Sequence, residues 1–121
     1  MAISSRALIL IVEDEPIVRL EAMETLVGAG FDVIDAANAD EAMEILEARR
    51  DIRVVVTDIQ MPGSMDGLKL AACVRDRWPP IHIIITTGNA RPREIPANAL
   101  FIPKPYIGRT VIDAMRTFEK M

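Results

Sequence analysis

The chain has 121 residues, a length that suits one domain, residues 1–121, with one hydrophobic core and is too short for two ordinary domains. Half of the residues are hydrophobic and 26% are charged, the balance of a soluble globular protein, and no linker-like, low-complexity or repeated segment interrupts them. A net charge of −4 with scattered basic residues argues against direct nucleic-acid binding, and the apolar run in MAISSRALILIV is too short for a membrane span and meets EDE where a signal peptide needs small residues, so a cytoplasmic protein is the default.

Five short apolar runs alternate with helix-like stretches. ALILIV (7–12) is nearly continuous in large aliphatic residues, as in a strand covered on both faces. Three acids follow it, and Pro16 then stands where a first helical position favours proline. Ile17, Leu20, Met23 and Val27 recur at helical spacing and stop at Gly28 and Gly30, which predicts a first helix with that stripe as its apolar face. FDVID (31–35) alternates like an edge strand, and Asn38 with Glu41 is a capping-box-like opening for a second helix. RVVVT (53–57) is a further buried strand. Asp66 is placed to cap a third helix, with Met65 stapling against Leu70. The single cysteine, Cys73, has no internal disulfide partner and reads as a small core residue of that helix.

IHIIIT (81–86) is the fourth strand. The connection after it, GNARPREIPANA (88–99), holds Pro92 and Pro96 four residues apart, so Pro96 lacks the amide that would bond the carbonyl of residue 92. One turn or an irregular loop is expected there in place of a full helix. ALFI (99–102) is short enough to be the second edge strand. Ile107, Val111, Met115 and Phe118 then share one face of a last helix.

Strands alternating with helices imply a parallel sheet with right-handed crossovers, whose ligands sit outside the carboxyl ends of the strands where strand order reverses. At those ends stand Glu13 and Asp14 after the first run, Asp58 after the third, Thr86 and Thr87 after the fourth, and Lys104 after the fifth. Carboxylates gathered at about 4 Å repel by roughly 4 kcal/mol per pair at an effective dielectric near 20, so such a cluster needs a cation or must protonate. Mg²⁺, a hard ion that keeps waters and accepts phosphate oxygens, suits it. Taken singly, each group also has a structural reading. The acids favour a helix N-terminus, Asp58 is a turn residue before Pro62 and Gly63, Thr87 satisfies a loop amide and Lys104 is solvated. Four strand ends supplying acids, hydroxyl and ammonium together favour a site.

The segments LILIVEDEP, VVVTDIQMPGSMDG, IIITTG and FIPKP, in this order and spacing, resemble the signature segments of receiver domains of two-component response regulators. The resemblance covers essentially the whole chain. It implies a flavodoxin-like, doubly wound α/β fold with a five-stranded parallel sheet of order 2-1-3-4-5, here with a shortened or irregular fourth helix. It also implies roles. Asp58 matches the phosphoacceptor, a carboxylate nucleophile. Asp14 matches a direct Mg²⁺ ligand, Glu13 the acid that acts through metal-bound water, and the backbone carbonyl of Gln60 the remaining protein ligand. Thr87, followed by Gly88, matches the hydroxyl that binds a phosphoryl oxygen, in preference to Thr86. Lys104 matches the lysine that pairs with the phosphoryl group, and the Lys104–Pro105 bond resembles one that is cis in the family. Phe101 falls at the aromatic switch position and is equally a good core residue.

The implied function is acceptance of a phosphoryl group from a histidine kinase or histidine phosphotransfer protein, followed by a switch in binding to a downstream protein or by onward relay of the phosphate. A phosphorylation-dependent dimer is compatible with it. No catalysis beyond self-phosphorylation and self-dephosphorylation is implied, and no output domain follows in this sequence. The chain departs from the family pattern in three places. MPGSMDG is one residue longer than the commonest form, Pro103 precedes Lys104, and Thr87 and Lys104 stand only 17 positions apart, a compact form found in a receiver subset associated with particular histidine kinases. Competing readings are a receiver excised from a hybrid kinase, a pseudo-receiver that takes no phosphate, a haloacid-dehalogenase-type phosphatase and a flavodoxin-like nucleotide binder. The phosphatase needs Asp-x-Asp where this chain has Glu13-Asp14-Glu15. The nucleotide binder needs a neutral phosphate loop in the same place.

Overall fold

A computed structural model describes residues 8–63, 65–88, 95, 99–103 and 108–119. The five apolar runs are strands: β1 (Leu8–Val12), β2 (Asp32–Ala36), β3 (Ile52–Asp58), β4 (His82–Thr87) and β5 (Ala99–Pro103). All pair in parallel in the order β2-β1-β3-β4-β5, so the alternating run and the short run do form the two edges. Pro103 closes β5, an edge strand, where a missing backbone donor is tolerated. The helices among the described residues are α1 (Pro16–Gly28), α2 (Ala39–Ala48), α3 (Gly67–Arg77) and α4 (Gly108–Glu119). The expectation for the 88–99 connection falls on residues that lie, apart from Gly88, Ile95 and Ala99, outside the described ones.

Alternate side chains of the central strands feed two cores. Leu10, Val12, Val55, Ile83 and Ile85 face α2 and α3, joined by Leu46, Leu70 and Val74. Ile9, Ile11, Val54, Val56 and Ile84 face α1 and α4, joined by Leu26, Val111, Met115 and Phe118. Burial on both faces explains why these strands read as continuous aliphatic runs. Each fully buried aliphatic side chain contributes about 1.5–3 kcal/mol, which makes this double layer the main source of stability.

Two expectations need correction. Of the stripe chosen for α1 only Met23 packs against the core: Ile17, Leu20 and Val27 are 73%, 55% and 56% exposed, while Ala22 and Leu26 are buried. Both faces share the helical period, so the period alone does not select the buried one. Cys73 is half-buried, at the margin of the core and not within it.

The other local readings stand. Asn38 Oδ1 accepts from the Glu41 amide at 2.9 Å, with Glu41 reaching back to the Ala37 amide at 2.6 Å, one residue beyond the usual box. Asp66 Oδ1 accepts from the Lys69 amide at 2.9 Å, and Met65 packs against the cluster that holds Leu70. Val111, Met115 and Phe118 are buried along α4, whereas Ile107 lies outside the described residues.

Candidate functional site

The connections leave β1 and β3 towards opposite sides of the sheet order, so the reversal lies between their carboxyl ends. Val12 is in register with Thr57, and Asp58 extends β3 one residue further, opposite Thr86 on β4. After Val12 the Glu13 amide still bonds the Ala36 carbonyl at 3.1 Å before the chain turns out through Asp14 into α1. Carboxylate oxygens of Glu13, Asp14 and Asp58 consequently lie within 4.8 Å of one another. Glu13 is 2% and Asp58 6% exposed. At this separation each pair of ionised carboxylates repels by roughly 3–4 kcal/mol at an effective dielectric near 20.

Backbone amides orient the acids. Asp58 Oδ1 accepts from the Ile59 amide at 2.9 Å, and that amide also reaches the Thr86 carbonyl at 3.0 Å. Glu13 Oε2 accepts from the Glu15 amide at 3.1 Å. Such partners fix the planes of the carboxylates without neutralising them. Three hard oxygen donors, two of them buried, form a set suited to Mg²⁺.

Gln60 lies in the loop that opens a hollow of about 450 Å³ beside the acids, lined by Asp14, Ile59, Gln60, Met61, Pro62 and Asp66. The extra residue of MPGSMDG is accommodated in this loop, where Gly63 takes φ 108°, and a side chain there would sit 3.1 Å from Asp40 Oδ2 at the start of α2. The two threonines take different partners. Thr87 Oγ1 donates to Gln60 Oε1 at 2.7 Å, whereas Thr86 Oγ1 turns to the Thr57 carbonyl at 3.5 Å. Phe101 is half-buried and packs against the core shared with α3. Lys104 and Pro105 lie outside the described residues; β5 ends one residue earlier, with Pro103 in register with Thr87.

Two residues and one contact were not singled out from the sequence. Arg19 donates from Nη1 to the Glu13 carbonyl at 2.7 Å and pairs through Nε with Asp35 on β2 at 3.0 Å, so it ties α1 to the end of β1. Gly67 brings α3 so close that a Cβ would stand 1.8 Å from the Asp58 carbonyl oxygen. The contact is the side-chain bond from Thr87 to Gln60. Gly67 was visible as the last letter of the quoted motif; for Arg19 the sequence carries no comparable signal.

Fold and pocket together define a doubly wound α/β domain with a cation-attracting acidic site at its topological switch point. The family model for the response regulator receiver domain matches residues 9–106. Over 110 residues the chain is 38% identical to the sensor kinase CckA of Brucella abortus, covering 86% of this chain and 12% of that protein. A response regulator receiver protein from Sinorhizobium medicae has a similar structure, with a TM-score of 0.85, 28% identity and 95% of each chain covered. So has the response regulator TrrA of Thermotoga maritima in complex with Mg(2+)-BeF, with a TM-score of 0.81, 26% identity, and 91% of this chain and 96% of that one covered. The chain belongs to the response regulator receiver domain family. It spans between 12% and 24% of the length of the first curated relatives it matches.

Proposed function

We propose that residues 1–121 act as one phosphorylation switch in which Asp58 accepts a phosphoryl group from a phosphohistidine donor in a Mg²⁺-dependent reaction. The convergence of Glu13, Asp14 and Asp58 within 4.8 Å carries this reading. A carboxylate oxygen of Asp58 forms the new bond to phosphorus while the bond to the donor imidazole nitrogen breaks, and the electron pair leaves with the imidazole. Glu13, Asp14, Asp58 and the Gln60 carbonyl would hold the ion, which when bound supplies positive charge against the phosphoryl oxygens. The Ile59 amide keeps the Asp58 carboxylate aimed. Thr87 would donate to a phosphoryl oxygen, and Lys104, on the sequence resemblance alone, would pair with another.

The donor needs a surface on which to settle, and α1 offers one. Ile17, Leu20 and Val27 lie exposed along one stripe of a helix that starts two residues after Asp14. A histidine kinase or phosphotransfer protein with a complementary apolar helix would bury them beside the pocket. No helix among the described residues is long and apolar enough to cross a membrane. We assign the domain to the cytoplasm with its donor. A downstream protein partner, with or without a phosphorylation-dependent dimer, would read the phosphorylated state.

The similarity to a sensor kinase favours a second context, a receiver that works as one segment of a hybrid kinase and passes phosphate onward. Incubation with Mg²⁺ and a small phosphodonor, followed by intact-mass measurement, tests the common core of both. Wild type should gain one phosphoryl group and Asp58→Asn none; equal uptake by both would refute the assignment.

A further inference from the structure

We propose that the Gln60 side chain is a positioning residue that holds Thr87 in its resting arrangement and must release it before Thr87 can serve a phosphoryl group. This rests on the function proposed above and deepens it by naming what restrains the switch. The 2.7 Å bond from Thr87 Oγ1 to Gln60 Oε1 joins the β3–α3 loop to the end of β4 across 27 positions of sequence.

A hydroxyl has one proton to donate. If that proton is on Gln60, it is not on a phosphoryl oxygen at Asp58. The two uses are therefore mutually exclusive, and Gln60 competes directly with the product of the reaction. Thr87 is 1% exposed and β-branched, so it moves between partners by a discrete rotamer change and not by gradual drift.

Gln60 itself is exposed, so water takes over its carbonyl when Thr87 leaves. Release is consequently easy enough for a phosphoryl group to drive, as a switch requires. Gln60 also contributes its backbone carbonyl to the proposed ion site two residues from Asp58. One residue then faces both the ion, through its main chain, and the switch hydroxyl, through its side chain. Events at the pocket can thus be felt at Thr87 before any phosphoryl oxygen reaches it.

The test uses Gln60→Met, of similar length without the acceptor, with Gln60→Ala as a second variant. In the resting protein, three-bond couplings of Thr87 measured by NMR should report one χ1 rotamer in wild type and averaging in both variants. Gln60→Glu, which keeps an acceptor oxygen, should restore the single rotamer. Beryllofluoride with Mg²⁺ should bind the Met and Ala variants roughly two- to tenfold more tightly than wild type, the worth of one net hydrogen bond. In a Thr87→Val background the same substitutions should have no effect on that affinity. Unchanged Thr87 couplings in Gln60→Met and Gln60→Ala, or equal or weaker beryllofluoride binding by them, overturns the proposal. Because the couplings are read without any phosphoryl analogue, they decide the latch alone. A wild type that ignores beryllofluoride would instead refute the phosphoacceptor reading.

Discussion

Replacing Gly67 by alanine adds a single methyl group at the point where α3 meets the acceptor strand. The new Cβ would lie 1.8 Å from the Asp58 carbonyl oxygen, 2.7 Å from its carbon and 3.0 Å from the Ile59 Cα, all of them main-chain atoms. No side-chain rotation relieves this contact; the first turn of α3 must retreat from β3 by more than about 1 Å. That retreat also breaks the 2.9 Å bond from the Gly67 amide to the Ile59 carbonyl. Overpacking of this kind costs about 1–3 kcal/mol, and the lost bond about 1 kcal/mol more. The helix preference of alanine over glycine returns at most about 1 kcal/mol. The expected net loss is therefore about 1–3 kcal/mol, readable as a shift of the urea midpoint at unchanged slope. A displacement of that size at Asp58 should also slow uptake from a small phosphodonor by about a hundredfold. Gly88→Ala is the control, since a Cβ there meets nothing within 4 Å among the described residues. Wild-type stability in Gly67→Ala, or a loss in Gly88→Ala as large as that in Gly67→Ala, would refute the steric reasoning.

Without divalent ions at low salt, Asp58→Asn should raise stability by about 1–3 kcal/mol by relieving carboxylate repulsion, as measured by urea titration. Mg²⁺ at about a hundred times its dissociation constant should stabilise wild type by about 2.7 kcal/mol, an effect that chelation abolishes and that Asp14→Ala largely removes. Leu20→Glu on the exposed stripe of α1 should change stability by no more than about 0.5 kcal/mol, yet slow phosphotransfer from a histidine donor by about tenfold or more; an unaffected transfer rate would remove α1 from the docking surface. His82 stacks on Phe118 with ring centroids 4.2 Å apart, and burial holds its imidazole below the usual value of about 6.5. The unfolded chain then binds the proton first, so stability should fall as pH drops through about 6.5 and level off below the folded value, and His82→Phe should flatten that limb of the profile.

Strand identity was legible because burial on both faces leaves only aliphatic residues at Ile9, Leu10, Val54, Val55, Ile83 and Ile84. The caps at Asn38 and Asp66 were legible because capping is a local event, settled within three residues. The face of α1 was not, because Ile17, Leu20 and Val27 keep the same period as the buried residues, and only the neighbours of the helix in space decide which stripe turns inward. The acidic residues could be named from their strand ends, whereas the side-chain bond of Gln60 to Thr87 and the reach of Arg19 depend on a loop path and a helix rotation that sequence spacing does not encode. The contact behind Gly67 was equally hidden, since a glycine in a helix start has several ordinary explanations and only the distance to Asp58 selects among them.

The cleft between β1 and β3 exists because the polypeptide departs from these neighbours in opposite directions, and not because any side chain has been withdrawn from the interior. Chemistry housed there borrows nothing from the aliphatic layers beneath. Such a rim can exchange its acids, its hydroxyl or its approach loop through evolution while the scaffold below stays intact, and the same separation should let an engineer retune the signal without refolding the protein.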